Sequence, residues 1–299
     1  MPRSLAMLCL IAAMAMTGAN VPIAKLLIAA MPADVLLALR FALAAALLAL
    51  LVRHEPGPRL ASLDRRQWGA VAVLGIAGSV LFTWAVLEGV QRTSGASAGI
   101  ILAALPAVVA VVGVVLGERL RRGELAMVAL AVAGVAMIQG RSAPGEATVG
   151  ALSEQLVGNL MIGAAVLCEA AFVIVARKIS THLGPLRLSL GVALVSLAAC
   201  LPFALPGLAR FEWASVEPRM WALFAWYVAT ASIACTALWY RGVAHVERWA
   251  AGLATAAVPV AALVVSALVL GERIEAAQIA GAALVVVAIA VGTLSQRRS

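Results

Sequence analysis

One block of sequence occurs twice in this chain, in the same order and at nearly the same spacing. The first copy runs from Ala98 to Arg119 and consists of A-G, a proline seven residues later at Pro106, and a final L-G-E-R. The second copy runs from Ala251 to Arg273 and has its proline at Pro259. Each proline lies inside a long apolar run, where it removes one helical hydrogen bond and frees a carbonyl that needs another partner. Matching interruptions in the two halves of a membrane protein indicate a substrate site.

The composition predicts that lipid is the solvent for most of the chain. Hydrophobic residues make up 64% of the sequence, charged residues 12%, and the mean hydropathy is +1.05. A soluble domain cannot bury that much apolar surface. Windows of about 20 residues predict ten transmembrane spans. They are 5–29, 33–52, 68–90, 95–116, 124–140, 156–178, 186–208, 220–240, 249–270 and 275–294. The first is interpreted as a helix and not as a cleaved signal, because nine more spans follow it.

The net charge of +8 is interpreted as a signal of membrane topology. Of the 22 Lys and Arg residues, fifteen fall on the side that holds both termini, six fall on the other side, and Arg40 falls within a span. Positive charge accumulates on the cytoplasmic side of membrane proteins, so both termini are predicted to be cytoplasmic, in a bacterial inner membrane. No stripe of basic and aromatic residues accompanies this charge, which argues against nucleic acid as a partner.

The number of spans in each half predicts how the two copies are related. A first repeat covers residues 1–141, a linker covers 142–155, and a second repeat covers 156–299. Five spans in each repeat is an odd number, so the second repeat enters the membrane from the opposite face. The predicted fold is therefore an all-α membrane protein of ten helices, arranged as two inverted five-helix repeats around a central cavity.

The doubled A-G, proline and L-G-E-R block, together with the ten spans, resembles the EamA family of the drug/metabolite transporter superfamily. Within that family the chain most resembles the bacterial aromatic amino-acid exporters. The resemblance implies that helices one to four and six to nine surround the cavity, that helices five and ten are peripheral, and that transport occurs by alternating access. Export of other small metabolites or of toxic cationic compounds is the alternative function.

Other classes of function are less well supported by the sequence. Residues 95–99 match the G-x-S-x-G pattern of serine hydrolases, but no strand precedes them and no suitable base lies in the spans, so we do not predict an enzyme. A membrane scaffold is disfavoured because inverted repeats serve the exchange of two states. The sequence has no phosphate-binding G-x-x-x-x-G-K-[ST] loop and no metal-ligand spacing, so no cofactor is expected. The expected partners are a small-molecule substrate and the lipid bilayer, for which a monomer is sufficient.

Glu169 is the carboxylate predicted to lie deepest, roughly halfway along the sixth span at 1.5 Å per residue. A charge at that depth costs at least about 2.5 kcal/mol, so it is kept for a reason. Two interpretations stay open. In one, Glu169 titrates a proton or binds an amine in the cavity, and in the other it forms a structural pair with a neighbouring helix. Phe172 follows three residues later and is either part of a substrate site or plain helix packing.

Three more candidates lie in the second and third spans. Arg40 and Glu88 are expected to form an ion pair. The two residues either bind the carboxylate and ammonium of an amino acid, or form an outer gate, or make a structural pair that orders the outer half of the bundle. Trp84 precedes Glu88 by one helical turn and therefore shares its face. It either contacts an aromatic or cationic substrate or packs between helices.

Several residues are predicted to interrupt helices or to end them. Asn20 and Pro22 are expected to break the first helix, with Asn20 binding either substrate or the carbonyls freed by the proline. Pro106 and Pro259 are expected to mark bends that face the cavity and take part in gating. The two Glu-Arg pairs that close the repeated blocks, at 118–119 and 272–273, are interpreted as helix-end contacts.

Overall fold

A computed structural model describes residues 1–93, 98, 101–139, 152–271 and 274–298, and these residues contain helices and turns but no strand. The long helices are α1 (Arg3–Ala30), α2 (Ala33–Leu51), α3 (Arg65–Gly75), α4 (Phe82–Arg92), α5 (Leu105–Val115), α6 (Arg122–Gln139), α7 (Leu152–Ile179), α8 (Pro185–Arg210), α9 (Pro218–Tyr227), α10 (Cys235–Val243), α11 (Arg248–Thr255), α12 (Ala257–Leu270) and α13 (Ala276–Arg298). Single 3-10 turns occur at Val52–His54, Leu60–Ser62 and Trp213–Ser215.

Within the described residues, eight helical stretches are long and apolar enough to cross a membrane. These correspond to the predicted spans one to three and six to ten. Helix α6 lies at the fifth span. The shorter apolar helix α5 covers the second half of the fourth span, in whose first half residues 95–97, 99 and 100 lie outside the described residues. The predicted linker, 142–155, is described only from Leu152 onward, so its boundaries stay a prediction. The fold is thus that of a helical, multi-pass membrane protein.

Two helices are interrupted by wider π-helical turns. One connects α3 to α4 at Ile76–Leu81, and the other connects α9 to α10 at Val228–Ala234. A π turn leaves backbone carbonyls with altered partners and often marks a functional position. Predicted spans three and eight are therefore each one helix whose middle turns are π-helical.

Two further interruptions come close to the repeated prolines. A single turn residue, Ala104, precedes α5, and Pro106 is the second residue of that helix. Another turn residue, Ala256, separates α11 from α12, and Pro259 is the third residue of α12. The interruptions therefore come two or three residues before each proline, because the missing N–H is best tolerated in the first turn of a new helix.

The expected interruption of the first helix at Asn20 and Pro22 is wrong. Helix α1 is continuous from Arg3 to Ala30, with Pro22 inside it. At Gly18, one turn earlier, α12 comes so close that an added Cβ would lie 2.1 Å from the carbonyl oxygen of Val258. The small residue allows this tight helix packing, which holds α1 in place around its proline.

The two halves of the chain interdigitate. Helix α1 of the first half packs on α10 and α12 of the second, and α7 of the second half packs on α4 and α5 of the first. Helix α2 packs along α8, and α6 packs along α13. Each of these six contacts joins one half to the other, so neither half forms its own hydrophobic core.

Candidate functional site

The bundle has two ends, which we name from the loops they carry. The terminal end holds the N-terminus and the loops 52–64, 116–121, 180–184 and 244–247, and the opposite end holds 31–32 and 211–217. Hydrogen bonds between loops support this grouping. The Glu55 carboxylate accepts from the backbone N–H groups of Leu186 and Arg187 at 2.9 Å, which caps the start of α8 at the terminal end.

Arg40 is held in the bundle by residues in or next to the second of the two π-helical segments, Val228–Ala234. Its Nε donates to Ser232 Oγ at 2.8 Å, and its Nη1 donates to Tyr227 Oη at 3.0 Å. The guanidinium also lies over the rings of Phe41 and Tyr227, 5.2 and 5.1 Å from the centroids. The described residues offer no carboxylate to Arg40 and no hydrogen-bond partner to its Nη2. Arg40 is therefore a fixed, partly buried cation with one donor group left over.

The expected ion pair between Arg40 and Glu88 is not formed. Glu88 binds Arg92, four residues later on α4, through a short contact that also includes the Glu88 carbonyl oxygen at 2.8 Å. Residues four apart on a helix are neighbours, so this local pair forms without any cost of bringing two helices together. Glu88 therefore pairs with a residue of its own helix and not with Arg40.

Glu169 lies on α7, ten residues before the end of that helix, and is half-buried. Among the described residues, its carboxylate has no hydrogen-bond or ion-pair partner. It is close enough to Cys235 and Tyr240 for electrostatic interaction, and Arg40 is within such range of Cys235 as well. The unpaired carboxylate of Glu169 and the guanidinium of Arg40 are therefore both within electrostatic range of Cys235, at the start of α10.

Phe172 is wedged between helices. Its ring lies 6.2 Å from the rings of both Trp239 and Tyr240, and it also packs on Gly78, where an added Cβ would be 2.4 Å from Phe172 Cδ2. The second π segment is followed directly by α10, which carries the two aromatic partners. Phe172 thus makes packing contacts to both span three and span eight, and a role in substrate binding stays a prediction.

Both polar atoms of the Asn20 side-chain amide form hydrogen bonds within the protein. Its Nδ2 donates to the carbonyl oxygen of Met16 at 2.8 Å, and its Oδ1 accepts from Thr230 Oγ1 at 3.1 Å. It does not bind the carbonyl of Gly18, which Pro22 frees, so that expected capping role is wrong. Because Thr230 lies in the second π segment, Asn20 ties α1 to that segment.

Trp84 is the most exposed of the predicted site residues, with 54% of its surface accessible. It lies on α4, which packs on α7. No hydrogen bond or ring contact involves Trp84 in the part of the chain described here. Its place in a substrate site stays a prediction.

The two π segments carry matching side chains that the sequence interpretation missed. In the first, Thr83 Oγ1 donates to the carbonyl oxygen of Ser79 at 2.7 Å, and in the second, Thr236 Oγ1 donates to that of Ser232 at 2.7 Å. The available signal was S-x-x-x-T, which occurs in both halves at the same spacing as the repeated prolines. Ser232 also binds Arg40, so the second segment belongs to the candidate site.

The repeated prolines lie where the halves cross. Pro106 and Pro259 are both buried, and an added Cβ at Gly252 would lie 2.9 Å from Val109 Cβ and 3.4 Å from the Pro106 carbonyl oxygen. Helix α11 therefore approaches α5 next to the first proline. A gating role for these prolines, and for Pro22, stays a prediction.

Glu118, from the first L-G-E-R, makes a contact between the halves. Its carboxylate accepts from the backbone N–H of Arg248 at 3.2 Å and from Arg248 Nη1 at 2.9 Å. This caps the start of α11 at the terminal end, which agrees with the predicted helix-end role. Glu272 and Arg273, from the second copy, lie outside the described residues.

In the described ranges, His, Cys, Asp and Glu form no group of three or more that could hold a metal ion. The four cysteines are free, and Cys235 Sγ lies 3.0 Å from Thr17 Oγ1.

The fold is a multi-pass helical bundle whose two halves interdigitate and hold charged groups between them. These features are typical of membrane transport proteins. The EamA-like transporter family matches the chain twice, at residues 4–140 and 156–294. The chain is also 30% identical over 291 residues to YetK of Bacillus subtilis (strain 168), an uncharacterized transporter, and the match covers 97% of this chain and 87% of YetK. A crystal structure with 22% identity shares the fold, with a TM-score of 0.77 over 98% of both chains. The chain belongs to the EamA-like transporter family, within the drug/metabolite transporter superfamily.

Proposed function

We propose that this protein is a secondary transporter that exports amino acids, aromatic or otherwise amphipathic, across the bacterial inner membrane by alternating access. The observation that carries this proposal is the placement of Arg40 and Glu169. A fixed guanidinium with a free donor group binds Tyr227 and Ser232 of span eight, and an unpaired carboxylate lies within electrostatic range of Cys235 in the same span. An amino acid presents one group of each sign, a carboxylate for Arg40 and an ammonium for Glu169.

The packing of the helices supports two inverted repeats. When α1 is exchanged for α7, α2 for α8, α4 for α10, α5 for α12 and α6 for α13, the six contacts described between the halves map onto one another. The contact α1 to α10 becomes α7 to α4, while α2 to α8 and α6 to α13 map onto themselves. A pseudo-two-fold axis has this effect. With five predicted spans in each half the axis would lie in the membrane plane, and the substrate site would lie between the halves.

The aromatic preference follows from what surrounds the charges. Arg40 is covered by the rings of Phe41 and Tyr227, and Phe172 lies one turn from Glu169. Flat apolar walls beside charged groups suit a substrate with an aromatic or long apolar side chain.

Export of a cationic compound is the second candidate function, and Glu169 is the observation that favours it. An unpaired carboxylate within the membrane is neutralised either by a proton or by a bound cation. A cationic substrate would need Glu169 and not Arg40, whereas an amino acid would need both.

The experiment is counterflow in proteoliposomes with matched substrates. We expect tyrosine to exchange and Arg40→Gln to raise its half-saturation concentration by about tenfold or more, because a charge-assisted hydrogen bond contributes about 1.5–3 kcal/mol. Tyramine, which lacks the carboxylate, should be affected much less. Arg53→Gln, in the loop at the terminal end, is the control and should leave both substrates unchanged. Tyramine exchange without tyrosine exchange would favour the cation exporter, and the absence of any flux would contradict transport.

A further inference from the structure

The two halves pack differently at the two ends of the bundle. Helix α4 packs on α7, just as its counterpart α10 packs on α1. However, α10 also packs on α7 and α8, and the described residues show no comparable packing of α4 on α1 and α2. Because α10 lies at the terminal end and α4 at the opposite end, the helices are packed together at the terminal end of the bundle. At the opposite end, the described part of α4 is not packed on α1 and α2 in this way.

A layer of three aromatic side chains lies at the closed end. Phe172 is three residues nearer the terminal end than Glu169 and stacks on Trp239 with an interplanar angle of 24°. Tyr240 contacts the same ring at an angle of 46°. Trp239 and Tyr240 are each only 2% exposed. The layer therefore lies between α7 and α10, on the terminal-end side of the site formed by Arg40 and Glu169.

The layer buries polar groups without partners. Trp239 Nε1 and Tyr240 Oη are buried and have no hydrogen-bond partner in the described part of the protein. Each buried, unpaired donor costs about 1–3 kcal/mol, and permanent cores satisfy nearly all of theirs. These donors gain water or another partner when α7 and α10 separate, so burying them makes the closed arrangement easier to open.

A charged contact between the halves holds the same end together. The Glu118 carboxylate binds the backbone N–H and the Nη1 of Arg248, at the start of α11. Every residue of α11 after Arg248 is buried, from Trp249 to Thr255. Separation of the halves at this end must break the contact between Glu118 and Arg248.

We propose that Phe172, Trp239 and Tyr240 form the gate that closes the terminal end of the transport pathway, and that the Glu118–Arg248 contact is the latch that keeps this gate closed. The inference rests on the proposed transport by alternating access. It assigns a role to the glutamate of the first L-G-E-R, beyond ending a helix.

The test measures access from the terminal end to Cys235, which lies one turn from Trp239 on the side of the gate that faces the opposite end. Cys9, Cys168 and Cys200 are replaced by Ala, so that Cys235 is the remaining thiol. A membrane-impermeant maleimide is then applied to the terminal end in oriented vesicles. We expect Glu118→Gln to raise the labelling rate about tenfold, the change that corresponds to losing one charge-assisted contact. Glu124→Gln is the control, because among the described residues Glu124 accepts a hydrogen bond only from the N–H of Arg121, at the start of its own helix.

A second variant should favour the closed arrangement of the gate. Tyr240→Phe removes an unpaired donor from the closed layer, so it should slow labelling of Cys235 about fivefold or more. An unchanged rate in Glu118→Gln, or faster labelling in Tyr240→Phe, would overturn the gate. Labelling is measured without any substrate flux, so it tests the gate separately from the proposed function. If the labelling rates change as expected but the protein shows no counterflow, the proposed function is refuted and the closure of this end by the three aromatic residues is not.

Discussion

Ser79 and Ser232 occupy corresponding places in the two halves, 153 positions apart, and each accepts a hydrogen bond on its carbonyl oxygen from a threonine four residues later. Both serines lie within π segments. A hydroxyl that binds a carbonyl one turn back competes with the regular helical hydrogen bonds and often bends the helix. Pro106 and Pro259 are also 153 positions apart, so the sequence repeat extends to the irregular geometry of spans three and eight.

The first prediction concerns these widened turns. Deletion of Ala77 or of Ala231 should convert the affected segment into a regular α-helix, because a π turn is an α-helix with one residue added. We expect normal insertion into the membrane but a loss of counterflow by about tenfold or more, since a regular helix bends less easily. Deletion of Ala165, within the regular helix α7, is the control and should instead reduce the amount of folded protein. A deletion variant of either π segment that transports at the normal rate would contradict a role in movement.

The sequence was sufficient to predict helices but not their irregular turns. Hydropathy predicts a span because every backbone group in lipid must be paired within a helix, which is a property of the whole stretch. The π segments depend on a shift of a few hydrogen bonds, which residues such as Ser79 and Thr83 permit but do not require. Only their recurrence in the second half could have indicated them.

The partners of the charged residues were predicted less well, for a different reason. Arg40 binds Tyr227 and Ser232, which are almost two hundred positions away, and the contact depends on how α2 packs against the second half. Glu88 was expected to reach another helix, but Arg92 lies four residues away on its own helix. A local partner competes strongly because the helix already holds it in reach.

The second prediction concerns the close packing of Gly78 and Phe172. Gly78→Ala would place a Cβ 2.4 Å from Phe172 Cδ2, so the ring or the helix must move. Overpacking of this kind costs about 1–3 kcal/mol, and we expect a lower Tm in a detergent unfolding assay. Phe172→Leu in the same protein should restore most of the loss. Gly163→Ala, which meets nothing within 4 Å, is the control and should not lower the Tm. Equal effects of the two alanines would show that the contact with Phe172 is not the cause.

The third prediction concerns the repeated prolines. Pro106→Ala and Pro259→Ala should each restore a backbone donor next to a helix interruption and favour a straighter helix. We expect counterflow to fall about tenfold, which corresponds to about 1.4 kcal/mol in the barrier, with normal insertion. Pro202→Ala is the control, because Pro202 lies inside the continuous helix α8. Normal flux in both variants would contradict a gating role.

The fourth prediction concerns topology. The fifteen-to-six distribution of Lys and Arg predicts that residues 1 and 299 both face the cytoplasm. Fusions of a reporter that is active only in the periplasm should therefore be inactive at both termini and active when inserted at 212, in the loop between α8 and α9. Activity at one terminus only would contradict both the even number of spans and the inverted repeats.

The last prediction separates two roles for Glu169. A carboxylate without a partner inside the membrane must be neutralised, either by the substrate's ammonium or by a proton. If a proton does this, Glu169→Gln should insert normally and still exchange substrate at equal pH, because exchange does not require the empty carrier to change its protonation. The variant should then lose uphill transport driven by a pH gradient.

The control for this experiment is Glu154→Gln, an exposed carboxylate near the start of the same helix, which should keep both activities. If the substrate's ammonium is the neutralising group, Glu169→Gln will instead weaken exchange of tyrosine at equal pH and leave exchange of its deaminated analogue unchanged. Wild-type flux that does not respond to a pH gradient would rule out proton coupling. Loss of folded protein in Glu169→Gln, with rescue by Glu169→Asp, would make the carboxylate a structural group, because the two oxygens would then be needed for assembly and not for transport.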